Sequence, residues 1–345
     1  LRFVAIPICF VVFSELMGEG YAQLPMSVLE YVSANLWILA VLFLIGAAAV
    51  LLLFPVVFVH ILPTRPLEEG DLKDDLLQMA KKGNVKFRRL LVWKTGMSMT
   101  NAMVTGFVPF ARYVLITDAM HAHFPYCFKL AVFAHEFTHI RRKHFQLLVL
   151  GGLGLMSSVF MFGALQGILD DYILAISSVL TLVLYVLLVF GPMYRTLERQ
   201  ADVDGAHLHG NPLMLASSLN YLGKAVSRRK RRYSFTHYGI DERVRLLKKC
   251  HEEPDYHRSL SRKLKIRVLL FLSVVLFFVA IGAASVYGQK DIIAAEQWLA
   301  VSEIALERED LVSSANALEN ALDSPLEFRS DNDGISLYLG LHYLD

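Results

Sequence analysis

Charge is scarce in this chain. Asp, Glu, Lys and Arg make up 19% of its 345 residues, against about a quarter in a soluble domain. So few charges exclude an ordinary water-facing globule. Cysteine is scarcer still: Cys9, Cys127 and Cys250, with none in the last part of the chain. That excludes a disulfide framework. Cys127 lies near the motif described below but at the wrong spacing for a ligand. Basic residues cluster conspicuously at one place, "RRKRRY" from Arg228 to Tyr233. In so apolar a chain, such a run reads as a solvated face or a contact with anionic lipid headgroups, and no nucleic-acid partner is expected.

What the chain has instead is apolar length. Hydrophobic residues make up 55% of it, and the mean hydropathy is +0.44. Uncharged runs at 36–62, 147–169, 172–194 and 268–288 are long enough to cross a bilayer. The start, "FVAIPICFVVF", is shorter, lacks an obvious cleavage site, and reads as the tail end of a first span. Lys and Arg set the orientation. Arg65, Lys73, Lys81, Lys82, Lys86, Arg88, Arg89, Arg141, Arg142 and Lys143 lie between the second and third spans, and the "RRKRRY" run follows the fourth. Both segments are expected in the cytoplasm. The loop "GEGYAQLPMSVLEYVSAN" has no Lys or Arg, and the turn at Asp170 and Asp171 and the acid-rich tail from Gln289 to Asp345 belong on the other side. The expected organisation is membrane segments at 1–62, a catalytic part at 63–145, a membrane hairpin at 146–194, a second catalytic part at 195–265, a span at 266–288 and a tail at 289–345.

Within the cytoplasmic parts, "DLKDDLLQMAKKG" has helical spacing that ends at Gly83. "VKFRRLLVWKT" and "YVLITDAM" are rich in β-branched and aromatic residues and read as strands. Between them lies "NAMVTGFVPFA", broken by Gly106 and Pro109.

The chemistry is concentrated in "AVFAHEFTHIRRKHF", residues 131–145. On a helix, His135 and His139 lie one turn apart on one face and can converge on one ion. Glu136, beside them, can take a proton from water at that ion. This geometry is why H-E-x-x-H signals a zinc hydrolase. A third protein ligand is needed, and "LERQAD" offers Glu198. Asp202, one turn on, can accept a hydrogen bond from a ligating imidazole. His207 and His209, two apart after Gly205, are rival third ligands and rank below Glu198.

The ordered pieces "NAMVTG", "VLITDAM", "HEFTH", "LERQAD" and "THYGIDERVRLL" resemble the HtpX-type and CAAX-prenyl-endopeptidase-type family of integral membrane zinc metalloproteases, over roughly residues 65–250. The resemblance implies an α-helical multi-pass membrane protein with an α+β, zincin-like metalloprotease domain and a helical C-terminal tail. It implies Zn²⁺ on His135, His139 and Glu198, with Glu136 as general base of a zinc metalloendopeptidase. His237 matches the family's histidine motif, where it would donate to the carbonyl oxygen; Tyr238 stands where the family often has Pro. Asn101 and Gly106 are expected at a strand edge that receives extended substrate. The implied substrates are proteins or peptides at the membrane, in quality control, with the bilayer as the other partner and the site on the cytoplasmic side of a bacterial inner (plasma) membrane. Two other readings stay open: a signal-transducing metalloprotease of the β-lactam-sensor kind, and a non-catalytic scaffold. The tail reads as a helical hairpin ended by Pro325, with a hint of one tetratricopeptide-like unit and an unknown partner.

Overall fold

The computed structural model describes residues 15–162, 170–224 and 238–323. Among them three helices are long and apolar enough to cross a membrane: Leu44–Ile61, Tyr172–His209 and Asp255–Gly288. His144–Ser158 forms a shorter apolar helix, and the end of the expected third span, like the first, falls outside the described residues. The chain divides into two compact units.

One unit carries the site. It begins at Leu52, within helix α2 (Leu36–Ile61), which is followed by β1 (Thr64–Pro66). Helix α3 (Asp71–Lys82) follows and stops at Gly83, as its spacing predicts. Strands β2 (Arg89–Trp93), β3 (Ala102–Thr105) and β4 (Tyr113–Thr117) complete a four-stranded sheet in the order β1-β2-β4-β3. β4 pairs parallel with β2 and antiparallel with β3. β3 is therefore an edge. One face of the sheet packs Leu91, Met103, Tyr113 and Leu115 against Val59 near the end of α2. The other buries Leu90, Val92, Val114 and Ile116 against Phe133 and Phe137 of helix α5 (Tyr126–Arg141). That alternation is the period of two that a two-faced strand requires, and it fixes α5, with its histidines, across the sheet.

Two other strand-side features hold β3 in place. Asp118 opens the short helix α4 (Asp118–His123) and accepts from the Thr95 hydroxyl and from the Thr95 and Met97 amides. These bonds, led by the Thr95 hydroxyl, hold its carboxyl down to about 2. At the other end, Gly106 has φ +110, and a Cβ there would lie 2.2 Å from the Ala111 carbonyl oxygen. Only glycine fits that crossing.

After α5, Lys143 adopts a left-handed backbone (φ 57) and helix α6 (His144–Phe160) begins. The return run is continuous from 171 to 209: α7 (Asp171–Tyr185), a π turn at Val186–Phe190, and α8 (Gly191–His209). Pro192 has no amide to give the carbonyl four residues back, and the wider turn sits where that bond is lost. The helix passes through Gly205 without a break. Helix α9 (Pro212–Lys224), helix α10 (Ile240–Glu252) and helix α11 (Pro254–Gly288) finish this part of the chain. Ala131 of α5, Leu215 and Leu219 of α9, and Leu247 of α10 share a second core.

The other unit contains helix α1 (Met26–Ser33) and a tail of two helices, α12 (Lys290–Glu307) and α13 (Leu311–Asp323). Leu29 packs with Val301 and Ala317, and Arg308 donates to the carbonyls of Ala22 and Leu24. The tail is thus a helical hairpin seated on the loop before the second span. Pro325 lies outside the described residues.

Candidate metal centre

Helix α5 presents His135 and His139 one turn apart, and α8 brings Glu198 to them. The two Nε2 atoms face each other at 3.2 Å. Glu198 lies 3.5 Å from His135 Nε2 through Oε2 and 3.6 Å from His139 Nε2 through Oε1. Among the described residues, these three form the one group of His, Cys, Asp and Glu side chains close enough to share an ion. A tetrahedral ion with arms of about 2.0–2.2 Å separates its ligand atoms by about 3.3–3.6 Å. The triangle fits. Two imidazole nitrogens and a carboxylate oxygen converging on one point are a donor set that a divalent cation fits.

The close approach of the helices has a cause. A Cβ on Gly205 would lie 2.7 Å from the Cα of His135 and 2.9 Å from its backbone nitrogen. Glycine lets α8 lie backbone to backbone on α5, which small residues permit. Ala134 and Ala201, both fully buried, continue the narrow seam.

Each histidine is braced from behind. His135 Nδ1 lies 3.0 Å from Asp202 Oδ1. Asp202 is in turn gripped from α10 by Arg243, whose Nε donates to Oδ2 at 2.8 Å and Nη2 to Oδ1 at 2.6 Å. Burial works against a charge on His135, but hydrogen bonds to Asp202 and Glu198 outweigh it and hold the imidazole up to about 9. Burial likewise opposes the Arg243 charge, and Asp202 keeps it above its ordinary value. His139 is braced by another histidine: its Nδ1 is 2.9 Å from His144 Nδ1, and His144 Nε2 is 3.1 Å from Gln200 Oε1. Gln200 can only accept through that oxygen, so His144 carries its proton on Nε2. Its Nδ1 then accepts from His139, which makes Nε2 the His139 nitrogen turned to the triangle.

Glu136 stands beside the triangle, and its Oε2 accepts from the Val104 amide at 3.2 Å. The register explains why that amide is available. Thr117 N donates to Asn101 O, so residues 101, 103 and 105 bond across to β4. The amides of Ala102 and Val104 then point to the free edge.

Not every expected residue joins the centre. Asn101 is exposed at the start of β3, its backbone tied to Thr117. Gly106 ends the strand at the crossing already described. His207 lies against His257, with ring centroids 6.1 Å apart, and His209 closes α8; neither is part of the triangle. Tyr238 lies under the Arg199 guanidinium at 3.9 Å. His237 and the "RRKRRY" run lie outside the described residues. Sequence reasoning missed His144, Gln200 and Arg243. Arg243 stands in the quoted "THYGIDERVRLL", and that was its available signal.

The model of peptidase family M48 matches residues 66–251, just over half of the 345-residue chain. Among solved structures, the crystal structure of S. mikatae Ste24p superposes with a TM-score of 0.50 at 19% identity, covering 71% of this chain and 66% of that one. At that identity the likeness is one of fold. This chain spans just under two-thirds of that protein's length.

Proposed function

From the premise that this chain belongs to peptidase family M48 and is a membrane metallopeptidase, we propose that it is a zinc-dependent endopeptidase. It would cleave membrane or membrane-associated proteins, in quality control. The observation that carries the reading is the His135–His139–Glu198 triangle with Glu136 at its side. Those three side chains would hold the ion. When bound, zinc supplies Lewis-acid polarisation of a carbonyl and lowers the pKa of water.

The chain's own residues do the rest. Glu136 Oε2 receives the proton from the attacking water and passes it to the leaving amine. The Val104 amide beside that oxygen keeps the carboxylate aimed. An extended substrate adds to the free edge of β3 through main-chain hydrogen bonds to the Ala102 amide and to the outward carbonyls of Ala102 and Val104, a mode tolerant of sequence, while the Val104 amide stays on Glu136. Asn101, exposed at the strand's start, is placed to bond the substrate backbone beyond. Asp202 and His144 fix which nitrogen of each histidine faces the ion. His237 supplies a further donor to the carbonyl oxygen, as the motif resemblance implies.

The site belongs on the cytoplasmic side. Support comes from the Lys and Arg distribution, and from the packing of the tail hairpin on the loop at Leu29. That loop has no Lys or Arg, and the tail is acid-rich with only Lys290, Arg308 and Arg329. X-ray absorption of the zinc-loaded protein tests the ligand set. Two nitrogens and one carboxylate oxygen at about 2.0–2.2 Å are expected; a spectrum unchanged in Glu198→Ala would overturn it. For topology, a cysteine placed at exposed Val312 should react with an impermeant reagent in intact cells. Reaction only after permeabilisation would reverse the orientation.

A further inference from the structure

At the sheet edge opposite β3 there is a cavity of about 360 Å³, lined by the last turn of α2 and by residues of β1, β2 and β4. Its polar wall is His60, Thr64, Arg65, Arg88, Arg89 and the Tyr113 side of β4; no carboxylate lines it. Val59, Leu62 and Leu91 form its apolar wall. The volume holds about a dozen waters at ~30 Å³ each, so a phosphate with its attached glycerol fits.

Three arginines around one cavity repel one another, and the structure does little to relieve them. Among the described residues Arg89 makes no side-chain hydrogen bond or ion pair. Arg88 donates to the neutral Tyr113 hydroxyl at 3.1 Å. Arg65 pairs with Glu68, but both are exposed, and such a pair is weak and easily exchanged. An anion with several oxygens would satisfy all three, and the planar guanidinium fork suits phosphate in particular.

Position identifies the source of that phosphate. His60 and Leu62 flank Ile61, the last residue of an apolar membrane-crossing stretch. One helical turn is about 5.4 Å, so the cavity opens where hydrocarbon gives way to headgroups. The helix end contributes Val59, His60 and Leu62 to the lining, and the arginines come from β1, from β2 and from the residue before β2. We propose that this cavity binds the phosphate of an anionic phospholipid headgroup, clamping the β1 edge of the sheet to the membrane surface. Basic pockets at the ends of membrane helices are suited to this chemistry. The proposal rests on α2 crossing the membrane and is independent of the metal centre.

The test uses the full chain in phosphatidylcholine nanodiscs with and without phosphatidylglycerol, and native mass spectrometry to count retained lipids. Wild type should keep phosphatidylglycerol in preference to phosphatidylcholine; equal retention would overturn the proposal without any variant. Arg88→Gln with Arg89→Gln should weaken that preference by about fivefold per arginine, roughly 25-fold together. The same charge change at exposed Arg262 and Lys263, on α11, should leave the preference intact. An equal loss there would mean diffuse surface attraction and no built site. Inorganic phosphate added at millimolar concentration should not displace the lipid; if it does, the cavity is a free-phosphate site and the lipid assignment fails. Arg88→Lys with Arg89→Lys keeps charge and removes the fork. It should fall between wild type and the glutamine pair, and loss equal to the glutamine pair would still support a shaped phosphate site.

Discussion

From Tyr172 to Tyr185, the long helix that carries Glu198 turns apolar side chains outward: Ile176 is 67% and Leu180 55% exposed. From Leu197 to Leu208, one unbroken backbone further on, it buries polar ones: Glu198 is 4% and Asp202 1% exposed. In the first stretch the surroundings are lipid, so apolar exposure carries no penalty and only the backbone must be satisfied within the helix. In the second, carboxylates are removed from solvent, and each needs a partner of opposite charge or a metal. Asp202 has Arg243 and His135, and Glu198 faces both histidines. One helix therefore follows two rules of burial, and the π turn at Val186–Phe190 lies between them.

The largest effect should follow from breaking the polar half. Glu198→Ala removes the only carboxylate of the triangle and leaves two histidines to hold the ion. Metal affinity should fall by more than about 100-fold, beyond the loss typical of an outer partner, as read by competition with a chelator. Unchanged affinity would mean that another group supplies the third ligand. Gly205→Ala attacks the same half through packing alone. Its methyl group must displace the backbone of His135, which costs about 1–3 kcal/mol. The thermal midpoint should drop by several degrees and metal occupancy should fall with it, although no ligand is touched. The smallest effect belongs to the lipid-facing half. Leu180→Ala should change stability by less than about 0.5 kcal/mol and leave metal content untouched. A large loss there would mean that this face is packed against protein.

Sequence made some of these features readable and hid others. His135, Glu136 and His139 are legible because a helix converts spacing of four directly into proximity. Asp202 follows Glu198 at the same spacing and is legible for the same reason. The strands of "RLLVW" and "YVLIT" announce themselves by β-branched residues, while β3 (Ala102–Thr105) falls within the Asn101–Gly106 stretch expected to form or abut a strand edge and stops at the breaker Gly106. His144 was illegible because its place depends on the left-handed turn at Lys143, which folds a residue five positions on back to His139. Gly205 reads locally as a helix breaker; its reason lies on another helix, at His135. Arg243 reaches Asp202 from 41 residues away, and no local period encodes that distance.

As proposed, a metal held by His135, His139 and Glu198 and a proton acceptor at Glu136 would together make this chain a peptidase. Zinc content and casein hydrolysis, measured side by side on wild type and Glu136→Gln in the same detergent preparation, test it directly. The expected result is one zinc per chain in both proteins. Hydrolysis should fall by at least about 10²–10⁴-fold in the variant, the contribution of a positioned acid–base group. Hydrolysis by Glu136→Gln at the wild-type rate, or a wild type that hydrolyses casein after complete zinc removal, would contradict it.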